Sequence, residues 1–267
     1  MNYRFFDYKY NIANFSSDLF SLWHIIYIVM AFISCILIIL FLNKISRNKI
    51  NIFLKVLSII AITFEITKIS WESYYDVTTG RGFNIEGLLP LYTCSLFIYC
   101  SILAGWTKGK VQEVAVSYLT TVGLIAGAIG VVYCNGLNFY PFWTFGAFYS
   151  LFFHYSMMLT GILLLATGYK KLEWNDIIKS WIPVVVLSII AIPFNYTYGA
   201  DYMQIYDASG VPVLHELGVK MGEEGIRPLF TILMLILYMP LSGFVIVIYK
   251  GICALVNKTN NEDYEYI

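Results

Sequence analysis

Long apolar runs broken by short polar connections dominate the chain. Seven of them stand out, at about Leu22–Leu42, Ile52–Tyr74, Glu86–Trp106, Glu113–Cys134, Thr144–Gly168, Ser180–Tyr198 and Ile226–Tyr249. Each reaches or approaches the roughly 20 residues that carry a helix across a bilayer. The pattern predicts an all-α membrane protein, a seven-helix transmembrane bundle forming a single polytopic domain. It divides into a tail at 1–21, the bundle at 22–249 and a second tail at 250–267. The longest connection, Gly199–Gly225, carries Asp201, Asp207, His215, Glu216, Glu223 and Glu224. It is expected as a solvated loop, with a short interfacial helix at Val213–Leu217 as the alternative. Gly123, Ala126, Gly127 and Gly130 give the fourth span a small-residue face that lets a neighbouring helix approach closely.

Composition agrees with the pattern. The chain of 267 residues is 59% hydrophobic and 13% charged, with a mean hydropathy of +0.70, well above ordinary soluble domains. The formal net charge is zero, so nothing points to nucleic acid, and no protein partner is evident. Cys35, Cys94, Cys100, Cys134 and Cys253 are odd in number and lack a Cys-x-x-Cys pair. That is neither a disulfide framework nor a metal knuckle. Met1–Ser21 has no apolar core of the kind a cleavable signal peptide carries.

Loop charge sets an expected orientation. Lys44, Arg47, Lys49, Lys55, Lys108, Lys110, Lys170, Lys171, Lys179, Lys250 and Lys258 fall on one side. Arg4, Lys9, Arg81, Lys220 and Arg227 fall on the other. The basic side is cytoplasmic by the usual bias, which predicts N-terminus outside, C-terminus inside, and a multi-pass protein of the cell membrane.

Ionisable side chains within spans are costly and therefore informative. Glu65, Lys68 and Glu72 share one face of the second span by their spacings of three and four. They form either a structural ion pair, Glu65 with Lys68, or a polar wall of a substrate cavity. Cys94 lies in the third span and His154 in the fifth. At 1.5 Å per residue, Cys94, His154 and Glu65 sit roughly 12, 15 and 14 Å below the outer ends of their spans. All three fall in one layer. A buried thiol needs a base within hydrogen-bond reach to act as a nucleophile. His154 is the leading partner, since His24 reads as interfacial and His215 as a loop residue. Asn195, near the end of the sixth span, is equally a helix cap or a donor to a carbonyl.

The string Leu89-Pro90-Leu91-Tyr92-Thr93-Cys94-Ser95 follows Glu65, Trp71 and Gly80. With His154 and Asn195…Gly199-Ala200-Asp201-Tyr202-Met203, it resembles the YwaF-type integral membrane family. That family is related to the transmembrane-protein-164-like Cys/His phospholipid acyltransferases. The likeness runs from the second span to the long loop. It implies a nucleophile at Cys94 and a base at His154. Tyr92, Glu65, Lys68, Asn195, Asp201 and Tyr202 are expected as substrate-binding or supporting residues. Tyr92 stands where bacterial members commonly carry His, and Asp201-Tyr202 where they commonly read Asn-Tyr.

The expected function is a membrane-embedded acyltransferase that needs no added cofactor or metal. It would move a fatty acyl chain between phospholipid and lysolipid, or a related alcohol, through a Cys94 thioester. The alternative is a small-molecule transporter or receptor with an outward-facing polar cavity. A retinal protein is disfavoured, because Lys250 lies at the edge of the last span and Lys68 is in the second.

Overall fold

The computed structural model describes residues 3–9, 16–80 and 88–262. Arg81 and Glu86, used above for loop charge and for the start of the third span, lie outside the described residues. The helices are α1 (Leu22–Phe41), α2 (Arg47–Thr78), α3 (Leu96–Trp106), α4 (Lys110–Thr120), α5 (Val122–Val132), α6 (Phe145–Ala166), α7 (Asp176–Tyr198), α8 (Pro212–Glu223) and α9 (Arg227–Glu262). Among the described residues there is no β-strand. Six stretches are long and apolar enough to cross a bilayer: α1, α2, the run Lys110–Asn138, α6, α7 and Arg227–Val256 of α9.

The third expected span differs from a continuous helix. After the break at residues 89–95, its helix runs over Leu96–Trp106, 11 residues, which reaches about 16 Å or half the hydrocarbon thickness. Residues 89–95 are turns and bends. Pro90 supplies the reason, since it lacks an N–H and steers the residue before it away from helical geometry. Cys94 therefore sits just before a helix N-terminus and not within a helix. The fourth span is interrupted as well, at Thr121, where φ is −124° and ψ −92°. The hydroxyls of Thr120 and Thr121 bond back to the Val116 and Ser117 carbonyls at 2.8 and 2.6 Å, a local competition that bends apolar helices.

The small-residue face of α5 packs against α6. A Cβ at Gly127 would lie 2.6 Å from the Met158 nitrogen and 2.7 Å from the Met157 Cβ. A Cβ at Gly161 on α6 would meet the Leu124 side chain at 2.7 Å. Two helices so close gain dispersion contacts that lipid cannot match. At the end of the bundle that carries the long loop, the N-terminal segment is docked. Trp71 Nε1 donates to the Phe6 carbonyl at 2.9 Å, and the Phe142 N–H donates to Asp18 at 2.8 Å.

The long connection is not the solvated loop expected. Ala200, Tyr202, Met203, Ile205 and Ala208 are all buried and join the main core. Residues 200–209 dip into the bundle, and the chain then forms α8, longer than the Val213–Leu217 alternative. The dip is held by one buried carboxylate. Asp201 Oδ1 accepts from the N–H groups of Tyr206, Asp207 and Ala208 at 3.0, 3.2 and 3.3 Å. Its Oδ2 accepts from the Ser209 N–H at 2.7 Å and the Ser209 hydroxyl at 2.9 Å. Met203, Gln204 and Ala208 take positive φ of 58, 56 and 54°, a strained geometry for residues with a Cβ. Asp201→Ala orphans these donors. It should cost about 3 kcal/mol or more and speed limited proteolysis at residues 202–211, whereas the exposed Glu216→Ala should leave the cleavage rate unchanged. An equal rate in both variants would show that the carboxylate does not hold the loop.

Candidate functional site

Cys94 and His154 line one cavity of about 340 Å³. Its wall is assembled from the 92–94 turn, α5, α6, the dipping loop and α9. Cys94 alone among the cysteines reaches it, and His154 alone among the histidines. Thr93, Tyr133, Asn135, Gln204 and Tyr238 add polar groups, and the rest of the lining is largely apolar.

Cys94 is held at the start of α3. The Ser95 and Leu96 N–H groups donate to the Tyr92 carbonyl at 2.9 and 3.3 Å, and the Phe97 N–H donates to the Cys94 carbonyl at 3.1 Å. The N–H groups of the first turn are thus paired with carbonyls of residues 92–95, and what remains near the thiol is the positive end of the α3 dipole.

His154 is oriented by its own helix. Nδ1 lies 2.8 Å from the Ser150 carbonyl oxygen. A carbonyl can only accept, so Nδ1 carries the proton and a neutral ring offers its lone pair at Nε2. The imidazole rests on Gly130, where a Cβ would lie 2.0 Å from Cδ2 and 2.5 Å from Nε2. The glycine that reads as a packing residue in the sequence is thus the seat of the ring. At roughly 14 Å from the start of α6, His154 lies near mid-depth. Cys94 lies near mid-depth too, at the end of a half-length helix.

The other histidines are occupied elsewhere. His24, at the start of α1, is fully buried. Its Nδ1 accepts from the Phe20 N–H at 3.0 Å and its Nε2 donates to the Val131 carbonyl at 3.1 Å. His215 sits beside Asp207, with Nδ1 3.1 Å from the Asp207 carbonyl oxygen. Burial and the neighbouring Asp201 carboxylate raise the Asp207 carboxyl above the usual range.

The expected supporting residues separate into two groups. Tyr92 lines the cavity and meets Tyr202 edge-on at 5.0 Å between ring centroids. Asn195 does not reach the cavity. Its Nδ2 donates to the Tyr202 carbonyl at 3.0 Å and its Oδ1 accepts from the Tyr202 N–H at 2.9 Å, so both ends of the amide clamp the loop. Asp201 holds residues 206–209, and Tyr202 is the residue clamped. Glu65 and Lys68 stand outside the cavity lining but within electrostatic reach of the Cys94 thiol. The ion pair differs from the Glu65–Lys68 pair expected. Lys68 Nζ lies 2.9 Å from Glu72 Oε2, while Glu65 accepts a hydrogen bond from the Tyr149 hydroxyl. The i,i+4 spacing of Lys68 and Glu72 lets the longer lysine reach its partner, and α6 supplies Tyr149 for Glu65.

Gln204 was not singled out by sequence. Its Oε1 accepts from the Gly210 N–H at 2.7 Å, which leaves the NH₂ end as the donor available to the cavity. Its signal was its place two residues after Tyr202 in the Asp201-Tyr202-Met203 string. Tyr238, on α9, carried no sequence signal, being one aromatic among many in an apolar span. Among the described residues, no three His, Cys, Asp or Glu side chains gather as a metal site.

The apolar helices define a multi-pass membrane protein, with the Cys94–His154 cavity between its helices. The chain belongs to the TMEM164 family, whose family model matches residues 19–239. No curated protein and no solved structure matches the chain significantly.

Gly130→Ala tests the seat of the imidazole. Overpacking of this kind costs about 1–3 kcal/mol, read as a lower unfolding temperature in detergent. His154→Ala frees the space, so the double variant should be more stable than the sum of the two single changes, by more than about 0.5 kcal/mol. Strict additivity would mean that ring and glycine do not touch.

Proposed function

We propose that the protein is a membrane-embedded acyltransferase that carries a fatty acyl chain on Cys94. The observation that supports this most directly is one cavity lined by a thiol at a helix start and by an imidazole pinned through Nδ1. In the reaction, His154 Nε2 takes the Cys94 proton as the sulfur attacks the ester carbonyl of a phospholipid. The tetrahedral intermediate collapses by breaking the C–O bond, and His154 returns the proton to the departing lysolipid oxygen. A thioester remains. An incoming lysolipid or related alcohol then gives its proton to His154, attacks the thioester carbonyl and releases the thiol. Developing negative charge on the carbonyl oxygen needs donors placed in advance. The Cys94 N–H and the Gln204 amide are the groups assigned to it, in place of the clamped Asn195.

The resemblance to the YwaF-type family and to Cys/His phospholipid acyltransferases supports the same reading. Tyr92 in place of the common His leaves His154 as the base. The donor and acceptor are membrane lipids. The transporter or receptor alternative predicts that Cys94→Ser is tolerated.

The purified protein, incubated with a defined diacyl phosphatidylcholine, is expected to gain one acyl mass on Cys94. Cys94→Ser should gain none. His154→Ala should slow the gain by 10²–10⁴-fold, the usual contribution of a general base. His24→Ala and His215→Ala should retain the rate wherever they fold. A normal lipid profile from Cys94→Ser would end the acyl-transfer reading.

The orientation proposed is N-terminus and loop 199–225 outside, with the basic loops in the cytoplasm. In intact cells, a lone cysteine at Lys108→Cys should resist a membrane-impermeant maleimide, and one at Glu216→Cys should react. The reverse pattern would invert the topology.

A further inference from the structure

A second concave surface runs along α3, from Leu91 and Leu96 beside the Cys94 turn to Lys110 at the basic end of the bundle. An apolar groove of about 620 Å³ runs between α3, α4 and α7. Leu96, Leu103 and Val114 form part of its wall. Ile182, Val186 and Ile190 on α7 also line it and are 43, 54 and 50% exposed, so the groove opens sideways, where the bilayer lies. Its apolar lining suits an acyl chain.

One end of the groove is basic. Lys110 lines the apolar groove and also lines a second cavity of about 590 Å³, together with Arg47, Tyr169, Lys170, Lys171 and one acid, Glu113. The charges there are only partly balanced. Lys170 Nζ lies 2.6 Å from Asp176 Oδ1, and Lys179 Nζ lies 2.5 Å from Glu113 Oε1. Among the described residues, no carboxylate lies within 4.0 Å of Arg47, Lys110 or Lys171. Arg47 stacks on Tyr169 at 4.4 Å from the ring centroid, and the Tyr169 hydroxyl donates to Asn51 at 2.6 Å. The guanidinium is thereby positioned with its hydrogen-bonding edge unspent on any acid.

We infer that these two cavities together form a binding site for one anionic diacyl phospholipid. Its phosphate lies among Arg47, Lys110 and Lys171, and one acyl chain lies in the α3–α4–α7 groove. Basic pockets between membrane helices take anionic head groups in this way. The lipid is not the one that reacts. Its esters would lie beside the head group at the Trp106 end of α3, about 16 Å from Cys94 along that helix. The site instead bridges α3, α4 and α7 on the lipid-facing side. It does not depend on acyl transfer.

The test uses the purified, delipidated full-length protein in neutral detergent, followed by native mass spectrometry. The probes are dioleoyl phosphatidylglycerol, dioleoyl phosphatidylcholine and inorganic phosphate. Phosphatidylglycerol is expected to bind at least tenfold more tightly than phosphatidylcholine, and millimolar inorganic phosphate should not displace it. The variant with Arg47→Gln, Lys110→Gln and Lys171→Gln should lose at least tenfold in phosphatidylglycerol affinity. Val114→Trp, which fills the groove without touching the charges, should weaken phosphatidylglycerol by a similar factor and decides the question if the triple variant fails to fold. Equal affinity for the two lipids, displacement by inorganic phosphate, or unchanged binding in Val114→Trp would each overturn the site.

Discussion

Within a bilayer every backbone polar group needs a partner from the protein itself. Two stretches of this chain abandon helical pairing at membrane depth, residues 89–95 and 200–209, and the candidate site is built from both. Their carbonyls and amides are met by side chains from the surrounding helices. The Tyr118 hydroxyl donates to the Thr93 carbonyl at 2.8 Å, and the Tyr99 hydroxyl donates to the Pro90 carbonyl at 3.1 Å. The Tyr238 hydroxyl donates to the Met203 carbonyl at 2.9 Å, so the Thr93 hydroxyl, 2.7 Å away, donates to Tyr238 in turn. One phenol thus ties the turn carrying Cys94 to the loop carrying Gln204. The Asn195 amide and the Asp201 carboxylate complete the set. Phenols suit this work, because each offers an apolar ring to the core and a single polar tip to the backbone.

This constraint accounts for how the site holds its shape. The strained φ values at Met203 and Gln204 are held by the same bonds, which place the Gln204 side chain against the cavity. The helix pair α5–α6 contributes the opposite wall by a different device. There, glycines remove side-chain volume so that the His154 ring can lie against the α5 backbone. A polar network fixes one side, and close packing fixes the other.

Much of this was legible in the sequence, and the failures have physical causes. Hydropathy located the long helices closely, because a bilayer imposes one length and one composition on them. It extended the third span through Leu88–Ser95, because apolar residues that wrap a buried turn are as hydrophobic as a lipid-facing helix. Pro90 was the available warning. The loop 199–225 was read as solvated from Asp201 and Asp207. Yet Asp201 is buried because its charge is spent on backbone donors, and composition cannot distinguish a carboxylate in water from one inside a turn. Cys94 and His154 were found by depth and resemblance. Gln204 and Tyr238 were not, since their part arises only once two distant segments meet. Spacing along α2 offered Lys68 two partners, and only packing against Tyr149 on α6 separated them.

The half-length α3 links depth to chemistry. A full helix would carry its N-terminus to the membrane surface, and a thiol there would meet water. Ending the helix at mid-depth brings the positive end of its dipole to a place where field strength is not diluted by solvent. On the acyl-transfer reading, an ester must then descend roughly 14 Å to meet the sulfur, the depth of His154 below the start of α6. The cavity provides for this. Asn135, Tyr133 and Gln204 line the same cavity as Cys94, and they offer hydrogen bonds to a head group that leaves the interface. The apolar residues of α5, including Val122, Ile125 and Ile129, face the chain it brings with it. On that same reading, a cavity lined by both polar and apolar side chains takes the two ends of an amphipathic lipid.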